Sequence, residues 1–197
     1  VWDYTSKKLP LQTDIDLLLA RIGWHKLSWQ EGLLSFPTAG LELDFGGIVK
    51  EYASDRVKGI LLQRGVKYGV VELGGDISII GPHPDDKPWM VGVRSPRLPE
   101  QPIAMVPLRS GGLASSGDYE RYMLVDGVRY SHLLNPKTGW PVDSLASVTV
   151  IAEQCVIAGS ATTIAMLKGD QGVEWLESLG LPYLAIDRNG QQFGGIQ

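Results

Sequence analysis

Apolar positions recur along this chain with two periods, and the switches between them mark its elements. Residues 14–21 carry Ile15, Leu18 and Leu19 at helical spacing, continued by Ile22, which predicts a short helix capped by Thr13. Residues 25–29 and 33–36 flank Gln30-Glu31-Gly32 as a hairpin. The strongest helical pattern runs over residues 46–62. Val49, Tyr52, Ala53, Val57, Ile60 and Leu61 form its apolar stripe, and Lys50, Glu51, Ser54, Asp55 and Lys58 lie mostly off it. Gly65 supplies a stop. Residues 70–73, 77–80, 89–93, 103–108 and 119–125 read as strands, the last turning through Asp126-Gly127 onto Arg129-Tyr130-Ser131. Residues 147–151 are rich in β-branched side chains and read as a buried strand; 156–167 and 173–179 read as helices and 184–186 as a strand. Strands and helices without strict βαβ alternation predict an α+β fold.

Composition narrows the function classes. The 197 residues include 44% hydrophobic and 20% charged side chains, with a formal net charge of −4. That acidic balance excludes a nucleic-acid partner held by a general basic field. A lone cysteine, Cys155, excludes an intramolecular disulfide framework and a multi-cysteine zinc site within these residues. No repeat, low-complexity tract or linker divides the sequence, so a single domain over 1–197 is expected. Glycine is in excess: 24 residues, about 12% against a usual ~7%.

The glycines gather in segments that interrupt ordinary core patterns. Asp44-Phe45-Gly46-Gly47 precedes Lys50 at a predicted strand-to-helix turn. Free N–H groups there suit an anion, and a turn capped by Asp44 explains the same residues. Glu72-Leu73-Gly74-Gly75-Asp76 breaks an apolar strand run, as a bulge or turn or as a close approach to a ligand. Residues 111–121 place Ser115 and Ser116 between glycines, either as a flexible hairpin loop or as hydroxyl and N–H donors for phosphate oxygens. His132-Leu133-Leu134-Asn135-Pro136-Lys137-Thr138-Gly139-Trp140-Pro141 sets a histidine at a strand end before a proline-stiffened turn. That residue is either structural or a general base.

In order, these segments resemble the ApbE family, the FAD:protein FMN transferases. The family pattern reads D-x-G-G-I-A-K-G-Y-A, L-G-G-D, T-S-G-D-Y-E and H-I-I-D-P-x-T-G-x-P. It is matched at 44–53, 73–76, 115–120 and 132–141, and Trp2-Asp3-Tyr4-Thr5 is similar to its F-D-x-T. The resemblance implies a mixed sheet with flanking helices and two lobes around a flavin cleft. It implies binding of FAD and Mg²⁺, and transfer of FMN to a threonine of a flavoprotein subunit in a membrane redox complex, with release of AMP. By position it implies His132 as the base, and Asp44, Lys50, Gly75, Ser116, Leu133 and Thr138 as flavin-nucleotide contacts. Gly47, through its carbonyl, and Thr163 are implied as metal ligands.

It also implies a periplasmic or extracytoplasmic setting on an inner-membrane lipoprotein. An N-terminal portion outside these residues would carry the anchor and part of the FAD pocket. Three departures from the pattern change its charge. Gly159 stands where A-D-A-x-A-T-A has its aspartate, Glu51 where the family has glycine, and Asn135 where it has aspartate. The first predicts weakened metal binding unless the FAD pyrophosphate or an acid such as Asp76 or Asp143 compensates. It leaves open an FAD-binding protein with weak or no transfer. A domain with no ligand would require all four segments to be turns by chance.

Overall fold

A computed structural model describes residues 1–98 and 100–196. In chain order the elements are α1 (Gln12–Leu19), β1 (Ser28–Gln30), β2 (Leu33–Ser35), α2 (Val49–Gln63), β3 (Gly69–Leu73), β4 (Asp76–Gly81), β5 (Trp89–Arg94), β6 (Pro102–Leu108), β7 (Gly112–Gly117), β8 (Tyr122–Val125), β9 (Val128–Ser131), β10 (Leu145–Ala152), α3 (Cys155–Lys168), α4 (Gly172–Leu179), β11 (Tyr183–Asp187) and β12 (Gln192–Gly195). The class is α+β, as the pattern predicts.

Six strands form the main sheet in the order β12-β11-β10-β7-β4-β3. Every described pairing in it is antiparallel, where a mixed sheet was expected. The long connection through α3 and α4 returns to the edge of β10 in the antiparallel sense. Successive residues of a strand point to opposite faces. Ala114, Val148, Val150 and Ala185 therefore meet Ala158, Ala161, Ala165 and Met166 of α3 and Leu176 of α4. Leu113, Ile79 and Leu184 face the other way and pack on Val93, Val106 and Leu108 of the β5–β6 ribbon.

Several elements differ from the sequence reading for physical reasons. α1 begins after Leu11 with no side-chain cap, so Thr13 lies inside the helix instead of capping it. The segment at 112–117 is not a loop but β7, paired with β10 and β4. Its small side chains let α3 approach closely: a Cβ at Gly112 would lie 2.6 Å from the Cys155 nitrogen and 2.9 Å from the Ile77 carbonyl oxygen. Consequently β8 starts only at Tyr122, and residues 119–121 turn.

The largest difference is in α2. Its apolar stripe is outward, with Val49, Tyr52, Val57 and Ile60 each exposed by 39–56%, while Glu51 is 5% and Ser54 0% exposed. The polar side is turned inward because it is used. Ser54 Oγ donates to Ser78 Oγ at 2.9 Å. Asp55 accepts from Ser78 Oγ at 2.8 Å and from the backbone N–H groups of Cys155 and Val156, which open α3, at 3.0 and 2.9 Å. Those two N–H groups have no partner inside their own helix, so α2 caps α3.

Cys155 is fully buried at this junction. Burial first, then the charges of Asp76 and Asp55, push its thiol up to about 12. The thiolate is the reactive form. Native protein is therefore expected to resist a thiol reagent at mildly alkaline pH, and guanidinium-unfolded protein to react fully. Rapid labelling of the native chain would contradict this packing.

Candidate functional site

The segments singled out in sequence converge on one cleft of about 870 Å³. Its first wall is the amino-terminal segment, α1 and the 132–141 loop. Trp2 Nε1 donates to the Gly139 carbonyl and Trp140 Nε1 to Gln12 Oε1, each at 2.8 Å, and the two indole rings meet edge to face at 5.2 Å. The α1 stripe read from periodicity, Ile15, Leu18, Leu19 and Ile22, lines this wall. The second wall is the turn before α2, the start of α2, the end of β7 and Thr163 of α3.

His132 stands on the cleft at the exit of β9. Its backbone N–H donates to the Arg121 carbonyl at 2.9 Å, and its Nδ1 lies 3.0 Å from the same oxygen. A carbonyl can only accept, so Nδ1 carries the proton and Nε2 presents a lone pair. The neighbouring Leu133 also lines the cleft; its carbonyl accepts from the Val142 N–H at 2.9 Å, leaving its amide as the available main-chain donor. Thr138 does not line the cleft. Its Oγ1 accepts from the Trp140 N–H at 3.2 Å and shapes the turn.

Asp44 ends no strand and caps no helix. Its Oδ1 accepts from the Gly46 N–H at 2.6 Å, a local turn that points the Gly46-Gly47 backbone at the cleft. Lys50 is paired within the chain. Its Nζ lies 2.7 Å from Asp76 Oδ2, on a carboxylate 3% exposed, while its own side chain is 50% exposed on the cleft. Burial works against its charge, but the hydrogen bond and charge of Asp76 outweigh it, and its pKa ends above the ordinary lysine value.

Gly74 and Gly75 form the two-residue turn joining β3 to β4, with φ of 62° and 92°, a conformation costly for any side-chain-bearing residue. Gly74 lines the cleft beside Lys50, and Gly75 follows it in the same turn. Ser116 does line it. Its Oγ is 2.8 Å from Thr162 Oγ1 and 3.4 Å from Thr163 Oγ1.

Behind this hydroxyl pair, α2 and α3 meet in steps of one turn. Asp55 reaches Cys155, Glu51 lies against Gly159, and Gly47 faces Thr163, with a Cβ at 47 lying 4.0 Å from Thr163 Cγ2. The middle step carries what sequence reading missed. Glu51 is buried on the cleft wall and its Oε2 has no hydrogen-bond partner among the described residues. Burial, and secondarily the charge of Asp76, raises its pKa above the ordinary carboxylate range, against the opposing pull of its backbone N–H and of Lys50. Its signal in sequence was the acid standing where the family pattern has glycine. Of the compensating acids expected for Gly159, Asp76 is committed to Lys50. Asp143 is 72% exposed and pairs with Arg188 at 3.4 Å, so it is no part of this wall.

Residues 1–185 match the model of the ApbE family. The FAD:protein FMN transferase of Vibrio cholerae serotype O1 is 30% identical over 189 residues, covering 94% of this chain and 56% of the relative. That of Haemophilus influenzae is 33% identical over 205 residues, covering 98% and 59%. The crystal structure of the ApbE protein from Thermotoga maritima superposes with a TM-score of 0.89 at 35% identity, covering 98% of this chain and 64% of that one. The chain thus spans a little over half the length of the curated relatives it matches.

Proposed function

The chain belongs to the ApbE family, and from that premise we propose that it moves FMN from FAD to a threonine hydroxyl of an acceptor protein. The hydroxyl oxygen attacks the phosphorus on the riboflavin side of the pyrophosphate. A phosphoester forms, the bridging P–O bond breaks and AMP leaves. The threonine proton passes to Nε2 of His132. The observation that carries this reading is the tautomer of His132, fixed with its basic nitrogen free on a cleft that also holds Lys50 and Ser116. Phosphoryl transfer needs chiefly positioning and charge stabilisation. Lys50 keeps donors beyond the one spent on Asp76 for a phosphate oxygen, and Asp44, Ser116 and the Leu133 amide supply further polar contacts.

The donor set also fits Mg²⁺, which takes oxygen ligands. Gly47 and Thr163 line the cleft together, and Glu51, with a buried carboxylate oxygen that has no partner among the described residues, lines the same cleft. The Gly47 carbonyl and the Thr163 hydroxyl would hold the ion, whose charge, when bound, offsets that of the pyrophosphate. FAD binding without transfer rested on the loss of an acid at Gly159. The Glu51 side chain lies against that glycine, and an acid at this contact supports the reading with transfer.

The family resemblance supports an acceptor among flavoprotein subunits of membrane redox complexes, in a periplasmic or extracytoplasmic setting on an inner-membrane lipoprotein. The test is incubation with FAD, Mg²⁺ and a protein bearing the acceptor threonine. An ultraviolet-fluorescent acceptor band on a denaturing gel is expected; FAD binding without that band would overturn the proposal.

A further inference from the structure

We infer that Glu51 supplies, from α2, the carboxylate of a divalent-cation site on the cleft wall, a place that Gly159 of α3 leaves open for it. The inference deepens the functional reading and rests on it for the cation's part in the reaction, but its geometry stands on this chain's residues. Glu51 is 5% exposed and one of its carboxylate oxygens has no partner among the described residues. A buried carboxylate oxygen is ordinarily paired or bound to a metal, because leaving it bare sacrifices its hydration for nothing. The neighbouring ammonium, Lys50, pairs with Asp76 at 2.7 Å and makes no hydrogen bond to Glu51 among the described residues. The same cleft wall offers neutral oxygens: Gly47 and Thr163 each stand four residues from the Glu51–Gly159 contact, and the Thr163 hydroxyl lies 3.4 Å from that of Ser116. Among the described residues no group of three or more His, Cys, Asp or Glu side chains gathers to hold a metal. The site is thus one carboxylate with neutral oxygens, the sparse set that magnesium accepts when a phosphate completes its shell.

Gly159 fixes why the acid comes from α2. A Cβ at 159 would lie 2.4 Å from Glu51 Cγ and 2.8 Å from its Oε1. A side chain at 159 and the Glu51 side chain therefore claim the same volume. The two departures from the family pattern, an acid gained at 51 and an acid absent at 159, are one exchange across a helix–helix contact.

The exchange is tested on the whole chain by titrating Mn²⁺ and following free Mn²⁺ by electron paramagnetic resonance, with flavin-fluorescence quenching as a separate readout of FAD binding. Glu51→Gln, which keeps the shape and removes the charge, is expected to weaken Mn²⁺ binding on the order of tenfold or more. Gly159→Asp alone is expected to lower Tm, because its side chain meets Glu51. The double variant Glu51→Gly with Gly159→Asp is expected to regain both Tm and Mn²⁺ affinity. Native-like Mn²⁺ affinity in Glu51→Gln would overturn the inference, and a double variant no better than Glu51→Gln would overturn the exchange. FAD binding that persists while Mn²⁺ uptake ignores residue 51 fails this inference alone. A native chain that binds neither fails the functional reading with it.

Discussion

Replacing His132 with alanine is expected to slow FMN transfer by about two to four orders of magnitude, the usual worth of a positioned general base. FAD binding should change little. The ring is held by a carbonyl that also accepts from the residue's own backbone N–H, so the imidazole and its main chain are locked to the same atom, the Arg121 oxygen. Nδ1 is thereby committed as a donor, and Nε2 is left to take a proton. Alanine keeps the backbone bond and removes only the base. Glutamine at 132 is the sharper control: it restores a polar side chain of similar reach, but its amide cannot accept a proton at neutral pH. Both variants are expected to bind FAD and to give a faint acceptor band. An undiminished rate of band growth in His132→Ala would remove the residue from the proton transfer.

The second large effect is on stability. Asp55→Ala is expected to cost about 2–4 kcal/mol, read as a fall in the urea midpoint with little change in slope. One side-chain cap is worth about 1 kcal/mol. Asp55 does more than one cap's work, because a single carboxylate accepts from two N–H groups at the start of α3 and from the Ser78 hydroxyl. The residue preceding α3, Gln154, makes no cap of its own, so nothing local replaces the loss. Removing the carboxylate strands these donors at a half-buried junction, and the cost is that of unpaired polar groups. Asp55→Asn retains one acceptor oxygen and is expected to lose roughly half as much. A midpoint unchanged in Asp55→Ala would mean that α3 does not depend on α2 for its start.

How much of this was legible in the sequence depends on whether a signal was local. The period of α3 and the β-branched run of β10 are strong local signals, and both elements appear within a residue or two of the reading. The stripe of α2 is equally strong in period but was given the wrong face. Periodicity says that two faces differ; it does not say which one meets a partner. Here Ser54 and Asp55 have polar partners on β4 and α3, sequence-distant groups that no window includes. β7 was hidden for the opposite reason. Its glycines, Ala114 and serines look like a loop, yet their smallness is what admits α3 against the sheet.

In the site, motif order placed His132, Asp44, Lys50, Ser116, Leu133, Gly47 and Thr163 on one cleft, but could not separate them from their turn-forming neighbours Gly75 and Thr138. Nor could it show that Lys50 was already paired. Glu51 and Gly159 were each visible as an oddity. Their relation was not, since 108 positions separate them in the chain and only the antiparallel approach of two helices makes them neighbours.

The one-turn steps between α2 and α3 have a consequence for how such a protein can change. A step is a shared volume, so its occupants can trade sides without disturbing the steps above and below. Register cannot be traded. A single inserted residue within either helix would rotate everything beyond it by about 100° and pull the cap and the cleft wall out of alignment together. Substitutions at 51 and 159 are therefore predicted to co-vary across relatives as mutually exclusive acids, while the stretches from 47 to 55, which includes the turn before α2, and from 155 to 163 stay free of insertions and deletions. In this pair of helices spacing is inherited as a unit, and the charge it carries is free to change sides.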